Sequence, residues 1–213
     1  MEEKRDNRFK WQMLEMKDGI TTSNGNWYHI TRDGINQYIP GLLQKYTLER
    51  IIKEADAWIK SPDALSMYVY LILAFAGTGP LMAAVVAILF YPFWYFNISA
   101  FTTPLLSGMI KILQHDGVIY VSCGAAFIYF SFIGNLDLMW VGLGLFFLFK
   151  VGLLRLGLRF LGSKMKKSGL DLPDRVLNML LIRYGMKEGK LTGDIEEMRD
   201  RLIHIANLHK QKK

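Results

Sequence analysis

Two hydrophobic patterns divide the chain. Over TLERIIKEADAWIK, residues 47–60, Leu48, Ile51, Ile52, Ala55, Trp58 and Ile59 share one helical face. Glu49, Arg50, Lys53, Glu54, Asp56 and Lys60 share the other. From Met67 onward that alternation stops, and apolar residues surround the axis on every side. A helix that is apolar all round belongs in the core of a large protein or in a bilayer.

The apolar block divides into four predicted spans. The first opens after KSPDALS, with Ser61 as N-cap and Pro62 in the first turn, and runs from Met67 to about Pro92. Within it, GTGP at 77–80 predicts a kink at Pro80, read as helix packing in preference to a hinge or binding notch. Gly79, Ala83 and Ala87 follow at four-residue intervals, a small-residue face that a neighbouring helix can approach closely. YPFWYFN, 91–97, reads as the turn between spans one and two, with Tyr91, Trp94 and Tyr95 at the headgroup interface. Trp58 has the same interfacial reading. The second span covers about Ile98 to Leu113 and the third Val118 to Ile133. A tight turn at 134–138 then leads into the fourth.

The ends of the chain carry ordinary water-soluble patterns. Residues 19–34 alternate weakly around Asn24-Gly25, a hairpin signal. One hairpin alone is barely stable, so it needs a partner such as residues 9–16. Toward the C-terminus, Val176, Leu177, Leu180, Leu181 and Tyr184 line a helix with Gly185 as its stop. Asp194 and Glu197 form a capping box for a second helix carrying Ile195, Met198, Leu202 and Ile205. The pair resembles the short helical hairpins at the C-termini of many bacterial membrane proteins.

Composition sharpens the membrane reading. Between Ser66 and Phe149 the only charged residues are Lys111, Asp116 and Asp137. Residues 150–213 carry fifteen Lys/Arg against seven Asp/Glu, whereas residues 1–65 balance at ten each. The basic excess therefore follows the apolar block, as in a cytoplasmic flank facing anionic lipid, and argues against nucleic acid. Neither predicted outer turn contains Lys or Arg, so both termini are placed in the cytoplasm. Arg155 and Arg159 mark the inner exit of span four. Lys150, about 20 Å into that span by helical rise, is read as snorkelling to the inner headgroups, with a bundle-facing functional cation as the other reading.

Candidate chemistry is sparse. No nucleotide, zinc-protease or hydrolase motif occurs. Cys123 is single and reads as a small apolar residue. His115 and Asp116 are the only adjacent proton-active pair near the membrane, and a helix cap is the favoured reading over catalysis. Asp116-Gly117 resembles the opening of a lipid headgroup transferase motif, whose further aspartates are missing here. Antiparallel counting from the turn at 134–138 pairs Asp116 with Arg155.

These patterns predict an all-α inner-membrane protein with four transmembrane helices. Residues 1–46 form a cytoplasmic segment, 62–163 the transmembrane domain and 164–213 a basic helical tail. Residues 47–61 form an interfacial amphipathic helix on the inner membrane surface, with packing against the protein's own cytoplasmic ends as the other, compatible reading. The expected function is a non-catalytic scaffold or partner-binding subunit without cofactor or metal. Its expected partners are the bilayer with its anionic lipids and a protein partner or a second copy. A small oligomeric channel or transporter, or a headgroup enzyme using His115 and Asp116, are the alternatives.

Overall fold

The computed structural model describes residues 13–16, 19–96, 104–164 and 172–193. The predicted helix beyond Asp194, and residues 98–103 of the predicted second span, lie outside the described residues. Most of the described chain is helical, in keeping with the all-α expectation. It divides into two units, one of residues 1–56 with 170–213 and one of residues 57–169.

The first unit begins with β1 (Met13–Met16), β2 (Gly19–Thr22) and β3 (Trp27–Tyr28), paired antiparallel in that order. The hairpin signal at Asn24-Gly25 is the β2–β3 turn, with Gly25 at φ 72° where a side chain would be strained. β1 supplies the third strand that a lone hairpin lacks. Helices α1 (Arg32–Tyr38) and α2 (Leu42–Lys45) follow. Thr31 caps α1 by accepting from the Gly34 amide at 3.2 Å.

The core joins Ile20, Tyr28, Ile35 and Leu42 to Ile51, Ile52 and Leu177, all sealed from solvent. Leu177 belongs to α9 (Leu172–Lys187). Gly185 does not stop that helix. It is buried in it, and a Cβ there would lie 2.6 Å from Leu191 Cδ1. The stop is Gly189, at φ 64°.

The amphipathic stretch 47–60 is not a separate interfacial helix. It is the start of α3 (Leu48–Phe75), one helix of 28 residues running through Pro62. A proline inside a helix orphans the carbonyl four residues back. Here that carbonyl is Trp58 O, and the Ser61 hydroxyl donates to it at 2.6 Å. Ser61 therefore repairs the helix at Pro62 instead of capping a new one. Ile51, Ile52, Ala55 and Ile59, the face read as lipid-facing, have no exposed surface.

The second unit contains the rest of α3, then α4 (Pro80–Phe96), α5 (Pro104–Leu113), α6 (Asp116–Phe132), α7 (Leu136–Val151) and α8 (Leu153–Lys164). GTGP does not kink a span; it reverses the chain. Gly77 stands at φ 82°, its amide bonds back to Ala74 O and the Thr78 amide to Leu73 O, the paired bonds of a Schellman stop. Pro80 then opens α4, where its missing N–H costs nothing. Ser61 meets Trp94 and Asp63 meets Tyr91, so α3 and α4 are antiparallel neighbours. Residues 91–96 of the predicted outer turn instead form the end of α4.

A second hairpin has the same construction. Gly134, at φ 71°, ends α6 with the same two bonds, to Ser131 O and Phe130 O. Asn135 caps α7 by accepting from the Leu138 amide. The hairpins pack with their turns at one end: the Phe75 and Phe130 rings lie 5.2 Å apart, and the Tyr70 hydroxyl donates to Leu138 O at 2.5 Å. Gly142 permits this approach, since a Cβ there would lie 3.0 Å from the Tyr70 ring. α8 does not continue α7. Gly152, at φ 77°, separates them, and the two axes differ by 55°. No single described helix is long and apolar enough to cross a membrane; α7 with residues 153–161 is so only as a bent pair.

The reversal at Gly77 is directly measurable. Spin labels at positions 60 and 93, in a Cys123→Ala background, should lie roughly 20 Å apart, an interaxial spacing of 8–10 Å plus two label arms. A continuous kinked span would hold them about 50 Å apart by helical rise. A pulsed dipolar measurement in detergent separates the two.

Candidate functional site

α3 carries a buried stripe in which two positions are acidic. Asp56, Ile59, Asp63, Ser66 and Tyr70 recur at three- and four-residue spacing. Ile59, Ser66 and Tyr70 have at most 1 % exposure. The helical face that should be apolar thus holds a carboxylate in each unit.

In the helical unit that carboxylate is Asp63. It forms an ion pair with Arg155 of α8 and accepts from the Tyr91 hydroxyl of α4 at 2.7 Å. The paired side chains are 21 % and 16 % exposed, little enough that neither charge could stand alone without a large desolvation cost. One turn further along, Trp94 donates its indole N–H to Ser61 Oγ at 2.6 Å, and Tyr95 hydrogen-bonds Arg159. The Tyr91 ring also stacks on Phe149 of α7, at 5.5 Å and 11°. The cluster joins α3, α4, α7 and α8 at the end opposite the two glycine turns. The Asp63–Arg155 pair is neutral overall, so it can join helices without leaving a net charge between them.

The expected interfacial positions are therefore turned inward. Trp58, Tyr91, Trp94 and Tyr95 are all buried, because Tyr91, Trp94 and Tyr95 each have a polar partner inside the unit. Ala83 and Ala87 are fully buried on α4, while Gly79 is exposed in the turn and Pro80 is the first residue of the helix.

The pairing of Asp116 with Arg155 is corrected: Asp116 pairs with Lys150, and Arg155 with Asp63. Equal counting from the α6–α7 turn assumed one straight helix. Gly152 breaks it before Arg155 is reached and sends α8 toward α3. Lys150 extends outward past the Tyr120 ring, 5.1 Å from its centroid, to reach Asp116. Asp116 is 72 % exposed, so this pair contributes little to stability. His115 caps α6, its Nδ1 accepting from the Gly117 amide at 3.3 Å. Its ring and Asp116 thus have separate partners.

The first unit contains further carboxylates: Asp56, expected on the polar face of residues 47–60, and Asp174 and Glu188, which the sequence reading passed over. Asp56, 2 % exposed, accepts from Asn24 Nδ2 at 2.9 Å, Asn26 Nδ2 at 2.7 Å and Tyr28 OH at 2.7 Å. It holds the β2–β3 turn onto α3. Asp174, in the first turn of α9, accepts from the His29 amide at 2.8 Å and lies 2.7 Å from His29 Nδ1. At the far end of α9, Glu188 pairs with Lys45 and accepts from the Tyr46 hydroxyl at 2.8 Å. The Lys45 hydrogen bond, then that of Tyr46, holds the Glu188 carboxyl below the usual carboxylate range. Amphipathic spacing assigned Asp56 to the polar face, and it is instead buried; Asp63 was not singled out. Nothing local marked Asp174 or Glu188, whose partners are 145 and 143 residues away.

Among the described residues no group of three or more His, Cys, Asp or Glu side chains could hold a metal ion. The chain matches no protein-family model, no curated protein and no solved structure.

Two measurements test these assignments. A double-mutant cycle on thermal stability in detergent, with Asp63→Asn and Arg155→Gln, should give a coupling of about 2–3 kcal/mol. The same cycle with Asp116→Asn in place of Asp63→Asn should give none. Separately, the depressed Glu188 adds stability above its unfolded pKa of about 4.3, lost as pH falls through its lower folded value. Glu188→Gln should lower the melting temperature at neutral pH and flatten its decline on acidification below about pH 4.

Proposed function

We propose that the chain is an integral membrane protein whose helical unit, residues 57–169, occupies the bilayer and whose other unit serves as a non-catalytic scaffold at the cytoplasmic face. One observation carries this reading. Every exposed large apolar side chain among the described residues lies between Ile72 and Leu161, including Leu81 at 76 %, Val121 at 72 % and Phe132 at 86 %. The described residues of the other unit leave no large apolar side chain exposed. Soluble monomers rarely expose apolar patches beyond a few hundred Å². At about 1.5–3 kcal/mol for each such side chain withdrawn from water, this belt favours an apolar solvent strongly.

Charge supports the same reading. The ends of the helices near Asp63 carry Lys60, Lys150, Arg155 and Arg159, whereas the turns at Gly77 and Gly134 contain no Lys or Arg. Under the positive-inside rule the Asp63 end faces the cytoplasm. α3, α4, α6 and α7 then make four crossings, and α5, about 15 Å long, makes none. The 16- and 17-residue helices α4, α6 and α7 fall at the short end of what spans a bilayer, which requires local thinning or a flanking interfacial segment. The scaffold role is supported by the use of the titratable groups, since His115 caps a helix and Asp56, Asp63 and Asp174 hold elements together. The unit built from both chain regions is the surface offered to a protein partner or a second copy.

The test has two stages. Membranes containing the protein should retain it through alkaline carbonate extraction; release into the supernatant overturns the membrane assignment. Purification from native membranes in mild detergent should then bring down a stoichiometric protein partner. Solute flux through proteoliposomes containing the purified chain alone would replace the scaffold role with that of a channel or transporter.

A further inference from the structure

α8 is amphipathic in the reverse of the usual sense. Leu153, Leu156, Phe160 and Leu161 lie on one arc of the helix and are 53–66 % exposed. Arg155, on the opposite arc, is 16 % exposed and pairs with Asp63, while Arg159 beside it is exposed and hydrogen-bonds the buried Tyr95. In water a helix of this composition would turn the other way, with leucines inward and arginines outward. It cannot roll over here, because its arginines are the tether.

We propose that α8 is an interfacial anchor, lying aslant along the inner surface of the bilayer with its Leu153–Leu156–Phe160–Leu161 face among the acyl chains. This rests on the membrane reading above and specifies which lipid region α8 occupies. It replaces the expectation that residues 153–163 complete the fourth crossing. Three observations favour lipid as the occupant over a second copy of the chain. The exposed face continues from Phe147 and Val151 of α7, 59 % and 66 % exposed, so one apolar surface runs across the bend. The bend at Gly152 turns α8 55° away from the axis of α7, so its twelve residues advance only about 10 Å along that axis. The sequence then runs through Lys164, Lys166 and Lys167, a charge run complementary to anionic headgroups. A slanted amphipathic helix followed by lysines is also the flanking segment that short spanning helices require.

The experiment uses the full chain with Cys123→Ala, reconstituted into mixed phosphatidylglycerol–phosphatidylcholine vesicles. Single cysteines replace Leu153, Leu156, Phe160 or Leu161, with Val121 and Ile128 on α6 as references, and each carries a nitroxide. Collisions with oxygen report acyl-chain exposure; collisions with a water-soluble nickel chelate report exposure to water. The expected result is oxygen accessibility at Phe160 and Leu161 within about twofold of that at Leu153, with low nickel accessibility at all four. A steady rise in nickel accessibility from Leu153 to Leu161, with Val121 and Ile128 still in lipid, overturns the anchor but keeps the membrane assignment. Nickel access at Val121 and Ile128 overturns the membrane assignment itself. Protection of the α8 labels from both reagents means that protein covers the face, and this too overturns the anchor.

Discussion

A carboxylate and a guanidinium within an apolar helical unit persist only as a pair, and the pairing of Asp63 with Arg155 constrains most of what surrounds it. Each charge alone would face a desolvation penalty of several kcal/mol; together, with the Tyr91 hydroxyl on the carboxylate, they are neutralised and largely hydrogen-bonded. The pair fixes two long-range facts. α4 must return beside α3 to bring Tyr91 to Asp63, and α8 must leave the line of α7 to bring Arg155 there. Lys150, Asp116 and His115 lie near the same end but add little, because their contacts are exposed.

The other unit uses a comparable device at Asp56. Three neutral donors, from Asn24, Asn26 and Tyr28, surround that carboxylate. Hydrogen bonds to an ionised acceptor are stronger than those between neutral groups, so one acidic side chain on α3 organises a whole hairpin. Asp174 does the same for the segment at His29 and for the start of α9. Three carboxylates therefore fix relationships between elements that apolar packing alone would leave free to slide.

Glycine sets the path between helices. At Gly77, Gly134 and Gly189 the backbone enters the left-handed region, where only glycine is unstrained, and the following amides satisfy the last carbonyls of the helix. At Gly152 the same conformation produces a bend, because a new helix starts at once. Pro80 and Pro62 show that proline alone decides little. Pro80 opens a helix after a glycine stop, whereas Pro62 lies inside one because Ser61 satisfies the carbonyl it orphans.

Local signals in the sequence were sufficient for the helical class, the Asn24-Gly25 hairpin, the α6–α7 turn, the helical cap at His115 and the segregation of charge from apolar residues. Each depends on residues within about four positions of one another. The sequence put Asp56 on the polar face of residues 47–60, and only its fold partners Asn24, Asn26 and Tyr28 explain why it is buried. Only the tertiary structure decided that GTGP reverses the chain, that the amphipathic stretch at 47–60 continues into the long helix, and that Arg155 belongs to Asp63. The reason is the range of the interaction. A cap or a turn is satisfied by its neighbours, but Arg155 and Asp63 are 92 residues apart, and their pairing depends on a glycine bend in one helix and a glycine stop in another acting together.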